Sequence, residues 1–574
     1  MLRRDFLSGM VRSAGAATLL PAVDGMTAFG FGETRPVIHH NQVGFLPGRD
    51  KKAVVVSDAT SFVVRFAANR SVVFHGDLSA ARTDEASGDT VRIANFSGLA
   101  RAGWYSLELN TGEQSALFAI GSQVYHGALR LAMRAYYGQR CGCAVDLGGG
   151  YAHPACHLKD AFHASSGKSG PFANHGGWHD AGDYGRYVVN SGISTGTLLW
   201  AWELYGARLK GLSLAIPESG GKTPDYLAEI RWNLNWMLSM QDADGGVWHK
   251  QTSEQFCAFI MPQADSLVSY VIGTGEAPYK SACATADLAA VMAIAARCYG
   301  PYDPVFAQSC VAAARKAYAW AAAHPASLYL QNPKGIGTGA YEDNNSGHEL
   351  LWAAAELWRT TGEAEFETAF KSAIQPRLGG LKVGAPSWSD VASMGYWTYV
   401  LADRQRDAKI VAAIRSATAA AAEALTKTAG ANGYGNTLST SEYGWGSNGT
   451  AGNQSLLLLV ADRLDANSGF VNCALGNLHY LLGCNCFGVS WVTQVGTNPF
   501  QNPHHRPSAA DGIAAPWPGM LSGGPNARPA DSVALKLPKA PPMRMWVDAT
   551  PAYSMNEIAI NWNAPLVFLL AASE

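Results

Sequence analysis

The chain reads as mainly α, with a small all-β segment in front. Three observations predict this. Short runs of β-branched and aromatic residues fill the region up to about residue 121. Beyond residue 124 the apolar spacing changes to 3.6, often in Ala-rich segments. About a dozen such segments follow, many apolar on more than one face, so they pack on both sides. A dozen helices of this kind fit an (α/α)6 barrel, and periodicity alone fits an α-solenoid equally well.

The chain has 574 residues, too many for one ordinary domain, although an α-barrel takes most of them. It opens with Met1-Leu2-Arg3-Arg4-Asp5-Phe6-Leu7 and then a mildly apolar Ala/Gly-rich stretch. This order is similar to a twin-arginine export signal, so residues 1–33 are set aside as a targeting segment. A periplasmic or secreted location is expected. Residues 34–122 form the β region. Its runs are Ala53–Val56, Phe62–Phe66, Val72–Phe74, Val91–Ile93 and Trp104–Leu109, spaced as in a sandwich. Residues 123–574 form the helical domain. The periodic segments are 129–141, 193–205, 225–241, 285–299, 305–324, 348–361, 387–401, 408–428, 453–466, 471–483 and 557–572. Thr223-Pro224-Asp225 marks a helix start, with Pro in the first turn. Gly/Pro-rich loops interrupt the helices at 144–174, 332–347, 430–452 and 488–533. Long structureless loops in a compact domain are usually functional.

Charge excludes some functions. With 43 basic residues against 45 acidic, a net of −2, nothing points to nucleic acid or a polyanion. No apolar run reads as a membrane span. The 17 Trp and 22 Tyr are a large aromatic stock for stacking on sugars, though most must be core.

The chemistry concentrates in His175-Gly176-Gly177-Trp178-His179-Asp180-Ala181-Gly182-Asp183-Tyr184-Gly185-Arg186-Tyr187. Asp180 and Asp183 are three apart, so in a helical turn they share a face. Two such carboxylates can hold one water, and each raises the other's proton affinity. Glycines permit close approach of backbone to a ligand. Trp178, Tyr184 and Tyr187 offer flat apolar faces. An Asp-x-x-Asp alone reads equally as a capped turn; the aromatic and glycine surround favours a site.

This stretch resembles the Gly-Gly-Trp-His-Asp-Ala-Gly-Asp-Tyr segment of family 9 glycoside hydrolases, the inverting cellulases. Two distant segments agree in the same order. Ser490–Arg506 resembles the family's His-x-Arg signature, which implies sugar binding by His504 and Arg506. Relatives often carry Gly where this chain has Gln494. Trp546–Ala564 follows the family's third signature, which implies Glu557 as general acid. A Glu that opens a helix has its pKa lowered by the dipole, so burial or neighbouring carboxylates must outweigh that effect. His40–Phe45 and Ser115–Ile120 resemble the immunoglobulin-like module that precedes many family 9 catalytic domains. The resemblance therefore decides the fold: an (α/α)6 barrel catalytic domain behind an immunoglobulin-like β-sandwich that braces it.

What else the resemblance implies is an endo-acting β-1,4-glucanase. Asp183 is the general base, Asp180 a water-positioning residue, and Trp178, Tyr184, Trp445 and Tyr553 are aromatic subsites. It implies a structural zinc held by Cys141, Cys156, His157 and His179, with Cys143 able to replace Cys141. A Cys141–Cys156 disulfide is the alternative. Calcium at His348-Glu349 is not favoured, because one carboxylate of the family's pair is a His here and His is a poor calcium ligand. No organic cofactor is implied, and a monomer is expected. Cys283, Cys298, Cys310 and Cys473 read as core. Three other readings stay open. One is exo-action as a cellodextrinase, β-glucosidase or exo-glucosaminidase. Another is a catalytically inactive carbohydrate-binding protein, which would not need the acid–base set. The third is a polysaccharide lyase on a similar toroid.

Overall fold

The computed structural model describes residues 36–574; the twin-arginine segment lies outside the described residues. The β region is a two-sheet sandwich. Its strands are β1 Ile38–His39, β2 Gly44–Phe45, β3 Lys52–Val55, β4 Ser61–Phe66, β5 Val72–Asp77, β6 Arg82–Thr83, β7 Thr90–Asn95, β8 Gly103–Leu109 and β9 Phe118–Ile120. One sheet runs β1-β3-β7-β6 and the other β2-β9-β8-β4-β5. Alternation decides which side chains face inward: Phe62 and Val64 of β4, and Tyr105, Leu107 and Leu109 of β8, meet Phe45, Phe96 and Phe118 in the core. The sandwich also holds part of the helical domain. The Gln42 side-chain oxygen accepts from the Thr497 and Asn498 backbone at 2.9 and 2.7 Å, and its amide donates to the Gly488 carbonyl at 2.8 Å. That grips the loop running toward His504.

Twelve long helices follow: α1 His126–Gly138, α2 Val188–Leu209, α3 Asp225–Ser239, α4 Ala282–Tyr299, α5 Pro304–Ala323, α6 Gly347–Thr361, α7 Ala364–Ile374, α8 Ala392–Leu401, α9 Ala408–Ala431, α10 Ser447–Leu464, α11 Ser468–Leu481 and α12 Ile560–Ala572. Even-numbered helices pack on one another from α2 through α4 and α6 to α8, and α12 packs on both α10 and α2. Odd-numbered helices lie outside them, α3 on α2, α5 on α4, α7 on α6 and α9 on α8. The last helix thus returns to the first pair. This closure is what an (α/α)6 barrel requires and a solenoid lacks.

Position in the ring explains composition. Inner helix α4 is long and apolar enough, by length and composition, to cross a membrane, yet it is almost wholly buried between α2, α5 and α6. The sequence reading had found no such run. Outer helix α9 shows the opposite, with only Ile410, Ile414, Thr418 and Ala422 buried along one stripe. The segment read as helix 557–572 begins only at Ile560, because Glu557 is extended at the end of a short turn of helix, Tyr553–Asn556. Helix α7 had not been read at all. The loops of the helical domain add a four-stranded sheet in the order β12-β15-β14-β13, with β12 Asp160–Phe162, β13 Arg186–Tyr187, β14 Lys250–Thr252 and β15 Ser269–Ile272, and a two-stranded pair of β10 Val145–Asp146 with β11 Ala152–His153.

Candidate active site

The segments entering the inner helices converge on one end of the barrel. Asp180, Asp183 and Tyr187 precede α2, Tyr341 precedes α6, Trp388 precedes α8, Trp445 precedes α10, and Tyr553 and Glu557 precede α12. All of them line one cavity of about 900 Å³, together with Phe256, His504, Arg506 and Trp562. The cavity therefore lies where helix N-termini converge.

Backbone hydrogen bonds stitch three distant segments together. The Asp180 carbonyl accepts from Ile560 N at 2.9 Å, His504 N donates to the Asn556 carbonyl at 2.9 Å, and Arg506 N donates to the Gly182 carbonyl at 3.2 Å. Gly182 makes the close approach possible, since a Cβ there would stand 1.9 Å from the His504 carbonyl oxygen. Asp180 and Asp183 lie in a bent loop, not on a helix, so backbone turns bring them together.

The two aspartates have different surroundings. Asp180 is buried and both its oxygens are taken: Asn190 Nδ2 donates to Oδ1 at 2.6 Å and the Tyr341 hydroxyl to Oδ2 at 2.6 Å. Burial, followed by the neighbouring Asp183 charge, pushes its pKa up to about 8, against the pull of those two hydrogen bonds. Asp183 accepts from Gly185 N at 2.9 Å and the Tyr187 hydroxyl at 3.2 Å, both on Oδ2. Among the described residues no donor reaches its Oδ1, which is the oxygen left for a water. Lys250 lies behind Tyr187, its Nζ 5.6 Å from the ring centroid, donating to the Gly339 carbonyl at 2.6 Å. Burial lowers its pKa to about 7, with Asp183 and Glu342 opposing.

Glu557 has the profile of an acid. Burial and then Asp183 and Asp180 raise its pKa well above the carboxylate range, outweighing Arg506 and a hydrogen bond from Trp445. It ends a short turn of helix and lies ahead of α12 instead of in its first turn, where the unfavourable dipole would act most strongly.

His504 Nδ1 lies 2.8 Å from the Thr550 carbonyl, which can only accept, so Nδ1 carries the proton and Nε2 is unprotonated in the neutral ring. Burial lowers its pKa and favours that neutral form. Arg506 spends donors on backbone: Nη1 to the Gly182 carbonyl at 2.7 Å, and Nε and Nη2 to the Cys257 carbonyl at 3.1 Å. It clamps the aspartate loop as well as lining the cavity. Trp445, half exposed, lies 5.5 Å from Tyr553, a pair of aromatic faces at the rim.

Two of the aromatic subsites expected from the sequence are corrected. Trp178 is fully buried, its ring tilted against Tyr136 at 4.5 Å and its indole donating to Glu229 Oε1 at 2.9 Å, so it faces the barrel and not the cavity. Tyr184 is also buried, its hydroxyl bound to the Ile260 carbonyl at 2.6 Å and its ring against His157 and His179. It separates the cavity from a second cluster. Tyr341, Asn190, Lys250, Phe256 and Trp388 were missed. Tyr341 sits in a loop whose length marks it as functional, and Lys250 closes the Gly245–Lys250 segment, which resembles a family segment; Asn190, Phe256 and Trp388 carry no local signal.

That second cluster is Cys141, Cys156, His157 and His179. All four are buried, and their ligand-type atoms lie within 4.8 Å of one another, an arrangement that could hold a metal ion. Cys143 is outside it. No disulfide joins cysteines among the described residues, Cys141 and Cys156 included. His157 Nδ1 is buried without a hydrogen-bond partner, while Nε2 lies 3.3 Å from Asp265 Oδ2. A ligating nitrogen inward and a carboxylate behind the other nitrogen is how metal-binding histidines are oriented. The donors fit a tetrahedral Cys2His2 set.

Residues 125–570 match glycosyl hydrolase family 9, and residues 33–114 match the cellulase N-terminal Ig-like domain. Endoglucanase D of Acetivibrio thermocellus is 37% identical over 542 residues, 93% of this chain and 83% of that protein. The cellodextrinase of Butyrivibrio fibrisolvens is 34% identical over 553 residues, 92% of this chain and 98% of that protein. The crystal structure of a Zn-binding triple mutant of the family 9 endoglucanase J30 superposes with a TM-score of 0.86 at 36% identity, covering 92% of this chain and 99% of that one. A closed ring of paired helices with carboxylates and aromatic faces in one cleft is here a glycoside hydrolase. The chain belongs to glycosyl hydrolase family 9.

Proposed function

We propose that the enzyme hydrolyses β-1,4-glucosidic bonds within glucan chains and inverts the anomeric carbon. The observation that carries this reading is the division of labour among three carboxylates in one cleft. Asp183 has one oxygen that no donor among the described residues reaches, Asp180 is held rigid on both oxygens, and Glu557 is biased toward its protonated form. Asp183 takes a proton from a water that Asp180 helps to position. The water oxygen bonds to the anomeric carbon as the bond to the glycosidic oxygen breaks. Glu557 gives its proton to that departing oxygen. Inversion leaves the base and the acid on opposite sides of the sugar ring, with room for the water. Trp445 and Tyr553 offer stacking faces, and His504 Nε2 accepts from a sugar hydroxyl.

Endo-action is tested by incubating the enzyme with a panel of soluble β-1,4-glucans and cello-oligosaccharides and sizing the products. A broad early ladder of lengths is expected. Release of a single short product from chain ends would assign it to exo-action. Absence of new reducing ends from every β-1,4-linked glycan would reject hydrolysis of this class.

We also propose that the Cys141, Cys156, His157 and His179 cluster holds a structural zinc. Four protein ligands leave no open position for a catalytic water. His179 directly precedes Asp180, and its N–H donates to the Gln139 carbonyl at 2.6 Å, so the cluster anchors the backbone that aims both aspartates. Chelation, or Cys156→Ser, is expected to lower activity and melting temperature together while helical circular dichroism persists. Unchanged activity in metal-free protein would overturn this role. The Arg3-Arg4 segment supports export by the twin-arginine route, and we expect a monomer at work outside the cytoplasm.

A further inference from the structure

We propose that Cys283, Asp343 and Glu349 form another metal site, for a thiolate-accepting divalent d-block cation of the zinc class, between the N-terminal ends of α4 and α6. The three are buried and offer Sγ and carboxylate oxygens within 4.8 Å of one another. They come from separate places: Cys283 from the first turn of α4, Glu349 from the first turn of α6, and Asp343 from the loop before α6. Neither the core role read for Cys283 nor the calcium considered at His348-Glu349 accounts for this grouping.

The surroundings call for a cation. Glu349 is fully buried; its nearest base is His348 Nδ1 at 2.9 Å, it shares a hydrogen bond with the Asp343 carboxyl, and no other donor among the described residues reaches its oxygens. Asp343 Oδ2 likewise has no other donor among them, and Oδ1 accepts from Asn345 N at 2.9 Å. Asp287 stands one turn along α4 from Cys283, 1% exposed, and both its oxygens lack partners. Among the described residues no lysine or arginine pairs with any of the three carboxylates; His348 alone approaches, 3.8 Å from Asp343 through Nε2. Buried carboxylates left this way are costly unless protons or a cation neutralise them. Burial, with mutual repulsion, does push Asp287 and Glu349 far above the carboxylate range. Protons alone would satisfy the charge. They would not explain why a thiol stands among the oxygens.

The donor set chooses the ion. Calcium takes six to eight oxygens and no sulfur. Zinc takes cysteine sulfur and carboxylate oxygen together at low coordination number. As the cation enters, the Cys283 thiol gives up its proton, so binding releases protons to solvent. A cavity of about 440 Å³ lined by Asn345, His348 and Asp390 lies beside the first turn of α6. Bound there, the ion would tie α4 and α6 to the segment carrying Tyr341, whose hydroxyl holds Asp180.

The test is zinc stoichiometry on the full chain, stripped by chelation and dialysed against zinc alone. Wild type is expected to take up two equivalents, and Cys283→Ser and Glu349→Gln one each. Cys156→Ser should also retain one, so failure here and failure of the Cys141 cluster are distinguishable: if only the present site binds, wild type takes one and loses it in Cys283→Ser but not in Cys156→Ser. Cadmium-113 resonances of the wild-type protein provide a readout that needs no folded variant; a signal at the position of a one-sulfur, oxygen-rich site is expected. Equal zinc uptake by wild type and Cys283→Ser would overturn the proposal, as would calcium binding that Cys283→Ser leaves intact or a cadmium spectrum without the one-sulfur signal.

Discussion

Asp183→Asn is expected to cut turnover on β-glucan by about 10²–10⁴-fold, the contribution of a positioned general base. The fold should be undisturbed. An Asn oxygen can still accept from Gly185 N and the Tyr187 hydroxyl, which is all the protein asks of Oδ2. What Asn cannot do is take a proton from water. The variant should therefore melt near the wild-type temperature and bind substrate with little change in KM. Asp180→Asn should also slow the reaction, because the Tyr341 and Asn190 donors would then face an amide that matches only one of them. Wild-type-like turnover in folded Asp183→Asn protein would remove Asp183 from its role.

Glu557→Gln should have an effect that depends on the leaving group. A glucan departs as an alkoxide unless it is protonated, so loss of the acid should be severe, on the same order of about 10²–10⁴-fold. An aryl glycoside with an acidic phenol needs little help and should lose far less. The pH profile gives a second check. Glu557 must hold a proton to act, and its pKa is raised by burial and by the two aspartates. Activity on glucan should therefore fall as pH rises through that raised value, and this alkaline limb should be absent from the variant acting on aryl glycosides. Equal losses on both substrate types would point to another acid.

Much of this was legible in the sequence, and the reasons differ by element. Helix periodicity survives in inner helices because even a helix buried on every side keeps its length and Ala-rich composition. Closure of the ring does not register in periodicity, and it took the packing of α12 on α2 to separate barrel from solenoid. Helix α7 escaped because it is short and buries only Phe366, Phe370 and Ile374. Asp180 and Asp183 were readable because they stand in a motif dense with glycine and aromatic residues, and Glu557 because Trp546, Tyr553 and Trp562 surround it in its own motif. Trp178 misled for the same reason: the motif marks the site, but the backbone turn at Gly177, φ +79, decides which side chains face it. Gln494 shows a departure from relatives resolved by structure. It adopts φ +59, a conformation that favours glycine, and its side chain donates to the Tyr151 hydroxyl at 2.8 Å and the Pro516 carbonyl at 2.6 Å. Tyr341 stands in no motif, and the segment that ends at Lys250 gives that lysine no role; only the fold brings both to the aspartates.

The most direct measurement is the anomeric configuration of the first product, followed by proton NMR on a β-1,4-glucan or cello-oligosaccharide before mutarotation equilibrates the sugars. With Asp183 activating water opposite the bond that Glu557 protonates, the new reducing end must appear first as the α-anomer, and the β-anomer must grow in only at the rate of mutarotation. A β-anomer that appears first would mean that a carboxylate attacks the sugar directly, and would contradict the roles given to Asp180, Asp183 and Glu557.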